Sequence, residues 1–192
     1  MINFFPSNTI APDKGHLLIS EPFLSDPYFK RTVILLCEHS NEDGTFGFVL
    51  NKYLDVKLSD LVPDFPEITT RIATGGPVEQ NSLYFIHTRP DLMLDSKVIS
   101  ENLCVGGDFE SLKNYFLNGL IDESEVRFFV GYSGWSAGQL DQEMKEKAWI
   151  VAQATVERVM NCHEDHLWES TLKTLGKDFA ILANFPEDPN LN

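Results

Sequence analysis

The chain has few cysteines and no closely spaced pair of them. Its 192 residues contain three, Cys37, Cys104 and Cys162, and no C-x-x-C pattern occurs. An odd number of widely separated cysteines argues against a disulfide framework. Unpaired cysteines are typical of a reducing compartment, so we expect a cytoplasmic protein.

The chain also lacks a membrane span and an export signal. No apolar run approaches the length that a bilayer-spanning helix requires. The first 15 residues contain Pro6 and Pro12, and they lack the basic and continuous apolar segments of a signal peptide. We expect residues 1–15 to form an irregular arm pinned by Phe4 and Phe5, and we expect no membrane association.

Positive charge is scarce. The 15 Lys and Arg side chains stand against 29 Asp and Glu, which gives a formal net charge of −14. Such a field repels nucleic-acid phosphates, so direct DNA or RNA binding would need a local basic patch. Lys30–Arg31 is an isolated pair, and we therefore expect no direct nucleic-acid binding.

The common motifs of nucleotide binding and hydrolysis are missing as well. The chain has no P-loop, no G-x-G-x-x-G, no H-E-x-x-H and no G-x-S-x-G. His163 and His166 have the i, i+3 spacing of half a metal site, but no second cluster accompanies them. A solvated helix start is the commoner explanation of that pair. The sequence therefore predicts no cofactor, no metal and no particular reaction.

What the chain does contain is a strand-rich pattern. Residues 32–39 and 45–51 are apolar runs joined by a turn that ends in Asp43-Gly44, which predicts an antiparallel hairpin. Asp108 precedes apolar residues at helical spacing, which predicts a helix N-cap. Further strands are predicted at 82–88, 126–130, 149–154 and 179–183. Because several strands are joined by hairpins, we predict a single α+β domain over residues 1–192 with a mostly antiparallel sheet.

The most distinctive stretch follows the strand predicted at 126–130. Gly131, Gly134 and Gly138 surround Trp135 and predict a turn, after which a helix over 137–147 begins with the Ser136-x-x-Gln139 capping-box pattern. A strand, a glycine turn and a helix start can bind an anion. The alternative is that the glycines only let Trp135 fold back and the helix pack closely.

Two other glycine turns follow strands, at Gly75-Gly76 and Gly106-Gly107. The three turns either converge on one concave surface or are independent tight turns, and the sequence alone leaves both open. Near the start of the helix, Gln139 and Glu143 are four residues apart and share one face with each other.

A nucleophilic site is a further candidate. Cys37 and His39 are two residues apart on a predicted strand, which would place both side chains on one face as a Cys–His pair. Cys37 closes an apolar run, however, and buried cysteine usually behaves as a small hydrophobic residue. Glu38 and Glu143 are the carboxylates that an acid-assisted activity would use.

Several blocks of the sequence resemble the bacterial AlgH/YqgE family. They are Gly15-His16-Leu17-Leu18-Ile19, Asp26-Pro27-Tyr28-Phe29, Gly75-Gly76-Pro77-Val78, Gly106-Gly107-Asp108, and Gly131-Tyr132-Ser133-Gly134-Trp135 with Ala137-Gly138-Gln139-Leu140. The resemblance spans essentially the whole chain. It implies an α+β fold whose bent, mostly antiparallel sheet forms a pseudo-barrel flanked by helices. It also implies a cytoplasmic protein without an established activity, although some members are labelled transcriptional regulators.

Together these observations predict a non-enzymatic binding or regulatory module. A groove near residues 131–143 would recognise a small ligand or a protein partner, lined by Trp135, Gln139 and Glu143 with Gly76 and Gly107 nearby. The alternative is a hydrolase-type enzyme that uses Cys37–His39 or Glu38 and Glu143. A regulatory role by direct DNA binding does not fit the charge.

Overall fold

The structure is a computed structural model that describes residues 10–186. Phe4 and Phe5 of the predicted arm lie outside the described residues, and residues 10–15 contain a turn but no helix or strand. The described strands are β1 (His16–Ser20), β2 (Val33–Ser40), β3 (Gly44–Val49), β4 (Ala73–Thr74), β5 (Val78–His87), β6 (Lys97–Ser100), β7 (Leu103–Val105), β8 (Val126–Trp135) and β9 (Trp149–Gln153). The described α-helices are α1 (Leu58–Leu61), α2 (Phe109–Leu117), α3 (Gln139–Lys145), α4 (Val156–Met160), α5 (Leu167–Thr174) and α6 (Lys177–Ala183), and a 3₁₀ helix spans Glu123–Glu125.

The strands form one sheet in the order β6-β7-β5-β8-β3-β2-β1-β9, and β4 pairs with β8 outside this path. The β4–β8 pair is parallel, and the pairs along the path are antiparallel. The predicted α+β class with a mostly antiparallel sheet is therefore confirmed. The sheet bends without closing: Ile99 of β6 shares a buried cluster with Leu17 of β1 and Ile150 of β9, although β6 and β9 are opposite ends of the strand order.

The predicted hairpin over residues 32–51 is present as β2 and β3. Its register runs from Ile34 opposite Val49 to Ser40 opposite Gly44, with an irregularity between Leu36 and Glu38. Gly44 adopts a φ of 103°, in the region that glycine enters without a Cβ penalty. The bulge at Cys37 interrupts the two-residue alternation of side chains along β2.

The prediction of a glycine turn after residue 130 is wrong, because β8 continues as a strand to Trp135. β8 changes partner along its length: it pairs with β5 up to Tyr132 and with β3 from Ser133 to Trp135. Gly131 has a φ of 71° and lies where the β5–β8 register shifts. Gly131 therefore lies where β8 changes from one partner strand to the other. A glycine after an apolar run is found both at such positions and in turns, so the sequence did not distinguish the two.

The helix predicted over 137–147 begins at Gln139, and its N-cap Gly138 has a left-handed conformation and no side-chain cap. Half of the predicted capping box exists, since Gln139 Oε1 accepts a hydrogen bond of 3.0 Å from the Ser136 backbone N–H. The prediction of a strand at 179–183 is wrong, because these residues belong to the helix α6. In this helix Phe179 and Leu182 are buried and Ile181 is exposed. Periodicity alone does not separate strand from helix in so short an apolar run.

Three groups of buried side chains hold the fold together. The central core lies inside the bend and includes Leu35, Phe48 and Phe129 together with Trp168 of α5. The α2 core packs Leu112 of α2 against Phe128 of β8. The α3 core lies on the other face of β1, β2 and β3 and includes Leu18, Ile34, Leu36, Val49, Trp135, Leu140, Trp149 and Val151.

Candidate functional site

The side chains of Trp135, Gln139 and Glu143 are in contact with one another. Together with Trp149 they form a hydrogen-bonded cluster against α3, which we call the brace. Trp135 is 5% exposed, and its indole Nε1 donates to Glu143 Oε2 at 2.9 Å. Gln139 Nε2 donates to the other oxygen, Oε1, at 2.9 Å. Trp149 Nε1 at the start of β9 also donates to Glu143 Oε2, at 2.7 Å. One carboxylate thus receives three N–H donors and ties α3 to the ends of β8 and β9.

The ring of Trp135 is enclosed by other aromatic rings. It lies edge to face with Trp149 at 5.9 Å and stacks on Phe29 at 6.2 Å, centroid to centroid. Buried aromatic rings in these arrangements contribute packing beyond their area. The side chain of Trp135 therefore faces the α3 core, and its structural role is to anchor the end of β8.

Two of the three glycine segments meet, and the third lies elsewhere. A Cβ on Gly75 would lie 2.2 Å from the carbonyl oxygen of Gly131, and one on Gly76 would lie 2.4 Å from Ser133 Oγ. These glycines permit a close backbone approach between the β4–β5 segment and β8. Gly107 instead packs on Met93 and Phe85, where a Cβ would lie 2.7 Å from Met93 Cε.

A cleft of about 680 Å³ lies along β3, β5 and β8, and Trp135 contributes to its lining although the Trp135 side chain packs in the α3 core. Because Phe46 pairs with Gly134 and Thr45 with Trp135, adjacent positions of β8 alternate between the cleft and the α3 core. The lining residues are Glu38, Ser40, Asp43, Gly44, Thr45, Phe46, Phe48, Val78, Glu79, Tyr84, Tyr132, Gly134, Trp135 and Ser136. We call this the β3–β5–β8 cleft.

Four of its side chains form a closed circuit of rings, the aromatic box: Phe46, Phe48, Tyr84 and Tyr132. Each ring contacts two others, with centroids 5.7–6.1 Å apart. Phe48 is fully buried and stacks on Phe129 at 4.5 Å, so it forms the floor of the box. Phe46, Tyr84 and Tyr132 are half-buried and present ring surface to the cleft.

Gly134 keeps the cleft open. It is exposed, lines the cleft and has no side chain opposite Phe46. Its φ lies outside the positive range that disfavours other residues, and a Cβ there would first meet the side chains of Tyr132 at 3.2 Å and Val78 at 3.8 Å. A larger residue would therefore project into the cleft without backbone strain.

The charged side chains of the cleft are acidic. Glu38, Asp43 and Glu79 line it, and its lining includes no Lys, Arg or His. Glu79 has a φ of 49°, unusual for a residue with a side chain, and its carboxylate accepts a hydrogen bond from the Tyr84 hydroxyl. Burial, together with this bond to Glu79, raises the pKa of Tyr84 to about 12. Tyr84 is therefore a neutral hydrogen-bond donor to Glu79 at neutral pH.

A second cleft of about 930 Å³ lies beside α1 and is more polar. Arg71 stacks over the ring of Tyr53, 3.6 Å from its centroid, and forms an ion pair of 2.7 Å with Asp165. Two acids lie between His163 and His166: Asp165 is engaged with this arginine, and Glu164 accepts a hydrogen bond from the Ser170 hydroxyl. Among residues 10–186, no group of three or more metal-ligating side chains comes together.

The proposed nucleophilic pairs are not assembled. Cys37 is 2% exposed in the central core, and burial raises the pKa of its thiol well above the usual value. His39 Nδ1 lies 2.7 Å from Thr45 Oγ1, and Thr45 pairs with Trp135. The bulge at Cys37 removes the shared face that regular alternation predicted for Cys37 and His39. Glu38 lines the cleft, whereas Glu143 serves the brace on the opposite face.

Sequence reasoning missed Arg127, which is fully buried in β8. Its guanidinium donates to the carbonyl oxygens of Leu50 and Val159 and, at 3.2 Å, to the Tyr53 hydroxyl. Burial lowers the pKa of Arg127. The signal was a single charge within the apolar run 126–130. Arg127 ties β8 to the residue that follows β3 and to the last turn of α4.

Within the described part of the chain, no helix is both long and apolar enough to cross a bilayer. A family model described as DUF179, AlgH-like, matches residues 17–180. The chain is 42% identical over 189 residues to a UPF0301 protein of Parabacteroides distasonis, covering 96% of this chain and 94% of that one. It is also 42% identical to a UPF0301 protein of Chlorobaculum parvum, with 93% and 95% covered.

Solved structures have the same fold. A crystal structure of a protein from Corynebacterium diphtheriae superposes with a TM-score of 0.75 at 27% identity, over 92% of this chain and 94% of that one. The solution structure of the AlgH protein from Pseudomonas aeruginosa, also assigned to UPF0301, gives 0.71 at 24% identity, over 94% and 98%. The family match over residues 17–180 and the 42% identity to full-length relatives show that this chain belongs to the AlgH-like, UPF0301 family.

Proposed function

We propose that the protein is a non-enzymatic binding module and that its ligand occupies the β3–β5–β8 cleft. The observation that supports this most directly is an open, largely aromatic cleft of about 680 Å³ beside the most distinctive sequence motif. Small-molecule sites typically have about 300–1,000 Å³ and apolar walls with few polar groups. The cleft matches that description in both size and lining.

The residues of the motif divide between two roles in this proposal. Tyr132 and Gly134 face the ligand, while Trp135, Gln139 and Glu143 keep the end of β8 in place from behind. Gly76 supports the cleft indirectly, since it lets the β4–β5 segment pack closely on Tyr132 and Ser133. Gly107 has no part in it, because it packs on Met93 and Phe85.

Binding is favoured over catalysis by the arrangement of reactive groups. A hydrolase needs a nucleophile and a base within hydrogen-bond reach of each other. Cys37 is buried with a raised pKa, and the hydrogen bond described for its Sγ goes to the Leu35 carbonyl oxygen, at 3.9 Å. Glu38 and Glu143 lie on opposite faces of the sheet. These placements argue against both forms of the enzyme alternative.

A regulatory role would then follow from ligand or partner binding and not from contact with DNA. The net charge of −14 and the acidic lining of the cleft both disfavour phosphate backbones. We further propose that the protein acts in the cytoplasm, which its three free and buried cysteines support.

A fragment screen followed by amide NMR tests the proposal. We expect binding fragments to shift amides of residues 44–46, 78–84 and 132–136. Gly134→Val fills the cleft without backbone strain, so it should abolish those shifts while the melting temperature stays close to that of the parent protein. Tyr28→Ala removes an exposed ring outside the cleft and serves as the matched control.

The proposal is wrong if fragments bind Gly134→Val as well as the parent protein. It is also wrong if the perturbed amides cluster around Tyr53 and Arg71 of the second cleft, or if no fragment in a chemically diverse set binds the β3–β5–β8 cleft.

A further inference from the structure

We infer that the ligand of the β3–β5–β8 cleft is a small organic cation with an alkylated ammonium head. This inference depends on the proposed binding function and adds the chemical class of the ligand. Two independent features of the cleft support it, namely the geometry of the aromatic box and the sign of the surrounding charge.

The aromatic box offers ring faces and edges from several directions. Phe46 is nearly perpendicular to Tyr132 and to Phe48, each at 83°, and Tyr84 is nearly perpendicular to Tyr132 at 81°. A cation is attracted to the negative faces of aromatic rings, and quaternary ammonium groups are recognised by sets of such rings. Three of the four rings are half-buried, so their outward surfaces remain available to a ligand.

The charge around the box has one sign. Glu38, Asp43 and Glu79 surround it, and none of the residues that line the cleft is basic. An anionic ligand would meet repulsion without a compensating donor from Lys or Arg. A cationic ligand would be attracted both by these carboxylates and, at longer range, by the protein's net charge of −14.

Glu79 is held beside the box at a conformational cost. It adopts a φ of 49° where the β5–β8 register shifts, and Tyr84 of the box donates a hydrogen bond to its carboxylate. A residue with a Cβ in the left-handed region is strained, and such strain persists where surrounding structure enforces it. The consequence here is an oriented carboxylate at the edge of an aromatic surface.

An alkylated ammonium fits this arrangement better than a bare metal ion. Metal ions need several oxygen or nitrogen ligands converging on one point, and no such group exists among residues 10–186. An alkylated ammonium instead spreads its charge over methyl groups that pack against rings. The cleft of about 680 Å³ is larger than a trimethylammonium group, so the natural ligand has further atoms attached to its ammonium head.

The test compares two probes of the same shape. Choline and its neutral carbon analogue 3,3-dimethyl-1-butanol differ in the charge of the head, and each is titrated while the amides of residues 44–46, 78–84 and 132–136 are followed by NMR. Sodium chloride at equal ionic strength controls for salt. We expect choline to bind the cleft at least about tenfold more tightly than the neutral analogue.

Variants separate the two contributions. Tyr132→Leu keeps an apolar side chain but removes a ring, and it should weaken choline binding about fivefold while binding of the neutral analogue changes little. Glu79→Gln retains the shape and removes the charge, so choline should bind more weakly and its dependence on salt should decrease. Glu110→Gln, on the exposed face of α2, should leave binding unchanged.

Equal binding of the two probes overturns the inference while leaving the proposed binding function intact. Absence of choline binding, in a protein whose cleft still binds neutral or anionic fragments, does the same. A peptide carrying trimethyllysine that binds more than tenfold tighter than choline would identify the partner as a modified protein, and the small-molecule assignment would then be wrong. If no fragment of any charge binds the cleft, the proposed function fails as well.

Discussion

Trp135 and Trp149 donate their indole N–H groups to the same oxygen of Glu143, at 2.9 and 2.7 Å. The two rings lie edge to face at 5.9 Å, so one carboxylate joins two strand ends that are 14 residues apart in the chain. The exposed strand end at Gly134 borders the cleft, and its position therefore depends on a contact on the opposite face of the sheet.

The brace makes a prediction about stability. Glu143→Gln keeps the shape of the side chain but replaces three charge-assisted hydrogen bonds with weaker or missing ones. Since hydrogen bonds to charged groups contribute about 1.5–3 kcal/mol, we expect a loss of about 2 kcal/mol in the free energy of unfolding, measured in urea. The control is Glu146→Gln, whose exposed carboxylate accepts from Gln142 alone among the described contacts, and its effect should be much smaller. Equal effects of the two substitutions would contradict the brace.

A second prediction concerns the close approach of two glycines. In Gly75→Ala the new Cβ would lie 2.2 Å from the Gly131 carbonyl oxygen, which is backbone and cannot rotate away. We expect a loss of at least about 2 kcal/mol in unfolding free energy, because overpacked sites force backbone shifts. Gly106→Ala is the comparison: its φ is 75° but a Cβ there meets open space, so backbone strain of about 1 kcal/mol should be the whole effect. A smaller loss of unfolding free energy for Gly75→Ala than for Gly106→Ala would contradict this prediction and show that the contact with Gly131 relaxes.

A third prediction concerns pH. His87 is fully buried, and burial lowers its pKa below the ordinary value of 6.5. The unfolded chain therefore binds a proton at His87 more readily than the folded protein does. Stability from this residue is complete above pH 6.5 and declines as the pH falls from 6.5 toward the lowered pKa of the folded state.

Urea unfolding at several pH values checks this. The decline below pH 6.5 should be shallower in His87→Gln than in the parent protein, and it should persist in His163→Gln, where the histidine is exposed. An unchanged pH profile in His87→Gln would mean that other groups cause the decline.

A fourth prediction addresses the enzyme alternative. Cys37 is buried with a raised pKa, so iodoacetamide at pH 8 should modify it far more slowly in the native protein than in urea. Mass spectrometry of the separate cysteine peptides measures this. Glu110→Cys supplies an exposed thiol that should react rapidly in the same sample. Rapid native modification of Cys37, with a rate that reaches its maximum below pH 7, would restore the nucleophile hypothesis.

Local chemistry was sufficient to predict several elements. The Asp43-Gly44 turn selected the hairpin of β2 and β3, and Asp108 does cap α2, with its carboxylate accepting from the Ser111 N–H at 2.8 Å. Both features depend on residues close together in the chain. Trp135, Gln139 and Glu143 of the motif at 131–143 lie together in the structure. Whether this motif takes part in binding remains a prediction.

Features that depend on long-range pairing were not predictable in the same way. The 179–183 run became a helix because Phe179 and Leu182 pack into the central core, and Gly131 became a strand position because β8 pairs first with β5 and then with β3. The bulge at Cys37 separated a pair that sequence spacing had put on one face.

The amino-acid sequence by itself determined the acidic charge, the antiparallel α+β class, the hairpin and the Asp108 cap of α2, because composition and short-range sterics act within a few residues. The tertiary structure alone decided which faces these elements present. The aromatic box draws its rings from three strands: Phe46 and Phe48 from β3, Tyr84 from β5 and Tyr132 from β8. Only the register of these strands brings the centroid of each ring to 5.7–6.1 Å from those of two others. A one-residue change of register reverses the face of every side chain in a strand, and register is set by contacts between segments distant in the chain.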